Sequence, residues 1–338
     1  MNKFSWYEAK TVEDALKQVN STISEELYDK TNKAVVLKSG GVDVMDFVKE
    51  GLIKPAKIVN IRNIPGLDKI VFDPVKGISI GSNVTLAEIA SDPDIKDNYM
   101  ALHQAVNHAA TPQLRNMSTL GGNIAQRTRC WYFRSAEHQC YRKDGDSCFA
   151  RSRRSGQNEN HAIIDNGSCV SIHASSISTA LMAFNGSVEI VNGKGAKRTV
   201  SLDEFFVSPS MDNSRETILE ADELITQITL PLPSPNAKSY YIKQGSRESY
   251  DWSMADVAVV VELAGNKCTA ASIVLGAAAP VPYRSVQAEE AITNKPVNKE
   301  NANAAAIAAM DIARPLSKNA YKVPLFQAII REAILKSV

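Results

Sequence analysis

Residues 126–168 run without a hydrophobic period and are rich in Arg, Ser, Gly and Asn. No other stretch constrains the fold as sharply. A structureless segment of about forty residues inside a folded domain is uncommon, and its few apolar side chains cannot offset its ordering entropy, so it needs a functional or metal-based reason to be there. Cys130, Cys140 and Cys148 lie within it and Cys169 follows directly, which leaves only Cys268 elsewhere. The N-terminal MNKFSWYEAKTVEDALKQV has no apolar h-region and no small-residue cleavage site, so a cytoplasmic location is expected. A partner subunit with its own signal could still carry the chain across a membrane. In a reducing compartment a local group of thiols points to metal rather than to disulfides.

Nine residues separate Cys130 from Cys140, seven separate Cys140 from Cys148, and twenty separate Cys148 from Cys169. Structural zinc favours close C-x₂₋₄-C pairs, and none is present. Thiolates on separate turns suit an iron–sulfur cubane. The residues alone leave a cluster, zinc and inert thiols open. Arg127, Arg129, Arg134, Arg142, Lys143, Arg151, Arg153 and Arg154 face only three acidic residues over this span. They would offset the charge of a thiolate cluster, or form a solvated loop or a docking surface. His138 and His161 read as structural donors, and Trp131, Tyr132 and Phe133 as a shield for the cluster or a subunit contact. Cys268, in the apolar CTAASIVLGAAA, reads as a core residue.

The rest of the 338-residue, 36.8 kDa chain is long enough for two or three domains. A net charge of +1 argues against nucleic-acid partners. No apolar run approaches the eighteen or so residues of a membrane span. Thr11 caps a helix carrying Val12, Ala15, Leu16 and Val19. A strand at 34–37, a Ser39-Gly40-Gly41 turn, a helix through Phe47 and Val48, and a strand at 57–61 form a small α/β unit. A hairpin is expected at 70–81, a helix after Thr85, and a helix at 101–109 ended by the proline of Thr-Pro-Gln. A helix at 176–184 and strands at 188–191 and 198–202 precede the breaker Pro231-Leu-Pro-Ser-Pro235. Strands 256–263 and 268–275 pair around Ala264-Gly265-Asn266, and helices follow near 284–293, 299–312 and 323–336.

Two glycine-bearing segments stand out. In Lys38-Ser39-Gly40-Gly41-Val42-Asp43 the glycines let successive N–H groups converge on an anion at a helix N-terminus, although a tight turn has the same composition. The second, from Ala110 to the pair Gly121-Gly122 and Asn123, is crowded with the donors Gln113, Arg115, Asn116, Ser118, Thr119 and Asn123. It is either a solvated loop or the flank of a large phosphate-bearing cofactor.

The string N-x-STLGGN-x-x-QRTRCWYFR, followed by Cys140, Cys148, His161-Ala-Ile-Ile and Cys169-Val-Ser-Ile-His173, resembles the FAD-binding medium subunit of the molybdenum hydroxylases, the xanthine dehydrogenase and carbon monoxide dehydrogenase family. Within it, the chain is most similar to flavin subunits that also carry an iron–sulfur cluster, as in bacterial aldehyde oxidoreductases. The resemblance spans the whole chain. It implies an α+β protein: a two-subdomain FAD-binding fold of the vanillyl-alcohol-oxidase/PCMH-like type in 1–60 and 61–230, with the cysteine insert at 126–170. A C-terminal α+β domain of a small antiparallel sheet plus helices would occupy 231–338. Leu37, Lys38, Ser39, Gly40, Gly41, Val42, Asp43 and Val44 would cradle the pyrophosphate. Ala110, Gln113, Arg115, Thr119, Gly122 and Asn123 would supply the second loop, and Lys243, Tyr250 and Asp251 would lie near the isoalloxazine.

Val42 stands where the family usually has threonine, and Ser176 where aspartate is common. Cys130, Cys140, Cys148 and Cys169 would ligate a [4Fe–4S] cluster. The implied role is to pass electrons from iron–sulfur centres through FAD to NAD+ or another acceptor, with no residue of this chain acting as acid, base or nucleophile. Substrate oxidation would occur on a molybdopterin-binding large subunit, with a [2Fe–2S] small subunit, in a heterotrimer or a dimer of heterotrimers. No G-x-G-x-x-G follows a strand, so the sequence shows no NAD site. A stand-alone flavin oxidase on the same scaffold and a zinc-stabilised scaffold subunit without flavin are the competing readings.

Overall fold

The computed structural model describes residues 2–152 and 154–338; Arg153, counted above among the basic residues of the insert, lies outside the described residues. The first unit is a three-stranded parallel sheet in the order β1-β3-β2, with β1 at Ser5–Glu8, β2 at Val35–Lys38 and β3 at Lys57–Asn60. Its helices are α1 (Val12–Gln18), α2 (Ile23–Asp29) and α3 (Val42–Lys49). Thr11 caps α1 by accepting from the Asp14 N–H, and Thr22 with Glu25 forms a capping box on α2, so two of the starts are written locally. Val44, Phe47 and Val48 of α3 are buried against Val36 and Ile58. The expected α/β unit is present, with β1 and α2 as elements that the apolar pattern did not disclose.

A five-stranded antiparallel sheet follows in the order β4-β5-β8-β6-β7. Its strands are β4 (Ile70–Asp73), β5 (Gly77–Gly81), β6 (Ser187–Asn192), β7 (Lys197–Ser201) and β8 (Glu223–Leu230). Between β5 and β6 run α4 (Leu86–Ser91), α5 (Pro93–Asn98), α6 (Met100–Asn107), α7 (Pro112–Met117), α8 (Leu120–Ile124) and α9 (Ser176–Ala183), and α10 (Leu202–Phe205) follows β7. Two expectations need correction here. Pro112 does not end α6, which stops at Asn107; it opens α7 at N1, with Thr111 as N-cap. Proline lacks only an N–H that the first helical turn leaves unpaired anyway. The Gly121-Gly122 pair likewise sits inside α8 rather than in a polar loop.

Beyond Pro231-Leu-Pro-Ser-Pro235 the third sheet has the order β12-β11-β10-β9, with β9 at Ala237–Gln244, β10 at Ala255–Ala264, β11 at Lys267–Gly276 and β12 at Tyr283–Arg284. α11 (Val286–Ile292), α12 (Lys299–Met310) and α13 (Lys322–Lys336) cover one face of it. Cys268 is fully buried in that core, as expected. Among the described residues of 126–170 the helical elements are two short 3₁₀ turns, Tyr141–Lys143 and Phe149–Arg151. The insert is ordered by borrowing a core. Phe133 and Cys140 are buried among Leu27, Val36, Phe47 and Ile58 of the first unit, and the Phe133 ring meets Phe47 edge-on at 5.8 Å.

Candidate functional site

The first glycine segment lies between β2 and α3. Gly41 is the N-cap of α3 at φ 84° and provides no side-chain cap, so the first N–H groups of the helix have no intrahelical partner. They form the positive end of the helix dipole. Gly40 is glycine for a different reason: a Cβ there would fall 2.1 Å from the Met117 carbonyl oxygen. That close approach brings the end of α7 onto the turn. Ser39 Oγ donates to Asn83 Oδ1 at 2.6 Å and lies 2.9 Å from Thr119 Oγ1. The two glycine segments therefore form one wall.

Between them opens a cavity of about 530 Å³. Leu37, Lys38, Ser39, Gly40, Gly41, Val42, Asp43 and Val44 line it, together with Thr119, Gly122 and Asn123. Burial pushes the Lys38 ammonium below its ordinary pKa, and Lys38 Nζ donates to Asn60 Oδ1 at 3.1 Å. Other residues expected at the cofactor stand outside the lining. Arg115 donates to the carbonyls of Asn107, Ala109 and Ala110, closing the end of α6, and its guanidinium carbon lies 5.9 Å from the Tyr250 ring. Lys243 Nζ donates to the His108 carbonyl at 2.9 Å, and the Asp251 carboxylate accepts from Arg247 and Ser246. Gln113 is exposed on α7, and Ser176 begins α9.

Sequence reasoning missed Asn83, Tyr28 and the segment carrying Asp212, Ser214 and Glu216, all of which line the cavity. No local motif marks them, because they arrive from distant turns. Arg127 was visible only as part of a basic run.

A second, smaller cavity adjoins the first. Cys130, Cys140, Cys148 and Cys169 all line it, with Tyr132, Phe133, Phe149, Arg142 and His161. All four thiols are free. Burial pushes Cys130 up to about 12 and raises Cys140 and Cys148 as well, so without a metal these thiols are protonated and inert at neutral pH. Cys130 Sγ lies 3.3 Å from His161 Nε2, and burial holds that imidazole neutral, with a pKa lowered to about 4. Tyr132 and Phe133 wall the cavity, whereas Trp131 is exposed and outside its lining. Among the described residues no three His, Cys, Asp or Glu side chains form a group that could hold a metal ion. The sequence expectation is corrected to that extent: the thiols share a cavity but do not form a ready single-ion site. A cubane differs in taking its ligands at separate iron corners.

Charge ties the two cavities together. Glu216 is buried, and its carboxylate bridges Arg127 Nε and Arg142 Nη1, the latter at 3.1 Å. Arg142 is fully buried and donates Nε–H to Cys169 Sγ at 3.3 Å. Burial raises the Glu216 carboxyl, but the flanking guanidiniums prevail and hold it below its ordinary pKa. Nearby, Asp43 Oδ1 accepts from Arg134 and Arg129, and the buried Lys143 Nζ donates to the carbonyls of Tyr132 and Ser135. Among the described residues, the carboxylates at ion-pair distance from Arg127, Arg129, Arg134 and Arg142 are Asp43, Asp46 and Glu216, with Glu50 and Asp212 acting from further away. A buried surplus of positive charge is costly unless anions meet it. Among the described residues, Arg127 Nη1 and Arg129 Nε, of residues lining the large cavity, and Arg142 Nη2, of a residue lining the thiol cavity, are buried without a partner. The donor set therefore fits a diphosphate on one side and thiolates on the other.

The sequence family described as FAD binding domain in molybdopterin dehydrogenase matches residues 2–233, and CO dehydrogenase flavoprotein C-terminal domain matches residues 238–337. The chain belongs to the FAD-binding medium subunits of the molybdopterin dehydrogenase family and is a subunit of an oxidoreductase. It is 28% identical over 301 residues to the aldehyde oxidoreductase FAD-binding subunit PaoB of Escherichia coli (strain K12), covering 88% of this chain and 90% of that protein. It is also 28% identical over 305 residues to the nicotine 6-hydroxylase medium subunit of Paenarthrobacter nicotinovorans, covering 88% of each. Among solved structures, reconstituted CO dehydrogenase from Oligotropha carboxidovorans superposes with a TM-score of 0.75 at 19% identity, over 99% of this chain and 98% of the other. This last likeness supports the two-part α+β fold alone.

Proposed function

We propose that this chain is the electron-transfer flavoprotein of a molybdenum hydroxylase complex, taking electrons from iron–sulfur centres through FAD to an external acceptor, NAD+ or another. The observation that carries the reading is the juxtaposition of the two cavities across Arg127, Glu216 and Arg142. The larger cavity suits FAD: the N-terminus of α3 and Arg127 would meet the diphosphate, and Gly40 lets the two glycine segments close around it. Cys130, Cys140, Cys148 and Cys169 would hold a [4Fe–4S] cluster, with Arg142 and Lys143 supplying compensating charge. Bound flavin supplies the ability to accept electrons singly and release them in pairs.

A molybdopterin-binding large subunit, where substrate would be oxidised, and a [2Fe–2S] small subunit are the partners that this role would take. The test is anaerobic purification of the complex, with FAD, iron and labile sulfide assayed per chain, followed by reduction with the substrate and reoxidation by NAD+ or an artificial acceptor. Substrate turnover by this chain alone, free of its partners, would contradict the division of labour. Flavin that stays oxidised in the complete complex during turnover would do the same.

A further inference from the structure

We infer that Arg142 sets the reduction potential of the centre held by the four cysteines, and that Glu216 keeps it there while holding Arg127 at the flavin cavity. The inference rests on the cluster reading above. Arg142 enters on the 3₁₀ turn Tyr141–Lys143, directly after Cys140, and reaches inward until only about 1% of its side chain meets solvent. Its three nitrogens have three different fates. Nε donates to Cys169 Sγ, Nη1 pairs with Glu216 Oε1 and also donates weakly to the carbonyls of Asn213 and Arg215, and Nη2 is buried with no partner among the described residues.

Burying a guanidinium is expensive, and one carboxylate shared with a second arginine does not neutralise two. Such a side chain is retained where a further negative charge meets it. The cavity it lines offers four thiols and no carboxylate. Hydrogen bonds to sulfur and local net charge are among the chief determinants of iron–sulfur potentials. Reduction places one more electron, and so one more negative charge, on the cluster side of Arg142. The guanidinium therefore favours the reduced form. The other oxygen of Glu216 binds Arg127, which lines the flavin cavity, so the carboxylate draws on both arginines. Removing its charge should act in the opposite direction to removing that of Arg142.

The experiment uses the assembled complex with Arg142→Gln, Arg142→Lys and Glu216→Gln. Iron, sulfide and FAD are assayed per chain, and the cluster is titrated potentiometrically with EPR detection. Arg142→Gln should shift the one-electron equilibrium at least tenfold against reduction, about 59 mV lower. Arg142→Lys should recover part of the shift, and Glu216→Gln should move the potential upward. A parent complex without cluster iron overturns the cluster reading and this inference with it. Iron retained in Arg142→Gln at an unmoved potential overturns only the inference. If Arg142→Gln loses its iron, the other two variants decide, and unmoved potentials in both overturn it.

Discussion

Arg134 Nη2 lies 2.6 Å from Asp43 Oδ1 while its guanidinium carbon stands 4.0 Å from the centre of the Phe47 ring. One residue of the insert thus grips both the first turn and the apolar face of α3. Asp43 lines the large cavity, yet its carboxylate is committed to Arg134, to Arg129 and to the Arg127 N–H. It acts as the fastener between the flavin-side turn and the cysteine insert.

Asp43→Ala should therefore loosen the insert as a unit. Arg134 and Arg129 would be left partly buried without their shared carboxylate, at a cost of about 1–3 kcal/mol after allowance for solvent screening. The urea midpoint should fall with little change in m-value, and limited proteolysis should cut within 126–170 first. Cleavage at the same rate and sites as in the parent would contradict the role given to Asp43.

The two glycines of the first turn should respond differently to alanine. At Gly40 the new Cβ meets the Met117 carbonyl, a backbone atom that cannot swing away, so Gly40→Ala should separate the glycine segments and strip most of the FAD. At Gly41 the nearest obstruction is the Lys38 side chain, which is flexible, and the cost is mainly the left-handed φ, about 1 kcal/mol. Gly41→Ala should keep most of its flavin. Flavin absorbance per chain after gel filtration checks the order, and equal losses would argue against it.

Much of the secondary structure was legible because its signals are local. Thr11 and Thr85 each cap a helix, Ile70 to Gly81 alternate as a hairpin, and the strands either side of Gly265 are apolar enough to declare themselves. Pro112 misled because a proline that stops one helix and a proline that opens the next have the same neighbours in sequence. β1 went unseen because SWYE is mostly exposed and offers no alternation. For the site, composition and spacing singled out the glycine segments and the cysteines but left their roles open, and only the family resemblance implied what they would hold. Glu216 could not, since its meaning depends on two arginines that are 74 and 89 positions away in the chain and meet it only after folding.

Acid should weaken the fold through His173. Burial lowers its pKa from 6.5 to about 3, and its ring packs edge-on against Phe206 at 4.7 Å. The unfolded chain takes up this proton below about pH 6.5, whereas the folded chain refuses it until about pH 3. Stability is thus intact above the higher value and falls as pH drops between the two, by at most about 1.4 kcal/mol per pH unit from this group. His173→Gln should flatten that limb of a plot of urea midpoint against pH. An unchanged slope would show that other groups govern it.

The central claim is that one chain holds FAD and an iron–sulfur cluster in adjoining cavities, and the most direct measurement is FAD, iron and labile sulfide per chain in Cys130→Ser, Cys140→Ser, Cys148→Ser, Cys169→Ser and Cys268→Ser beside the parent, all purified anaerobically. The account predicts one FAD and one [4Fe–4S] cluster's complement of iron and sulfide in the parent, loss of iron but retention of most flavin in the first four variants, and both cofactors in Cys268→Ser, which alters only the C-terminal core. A parent that carries flavin but no iron, or a Cys140→Ser chain with its full iron content, would contradict it.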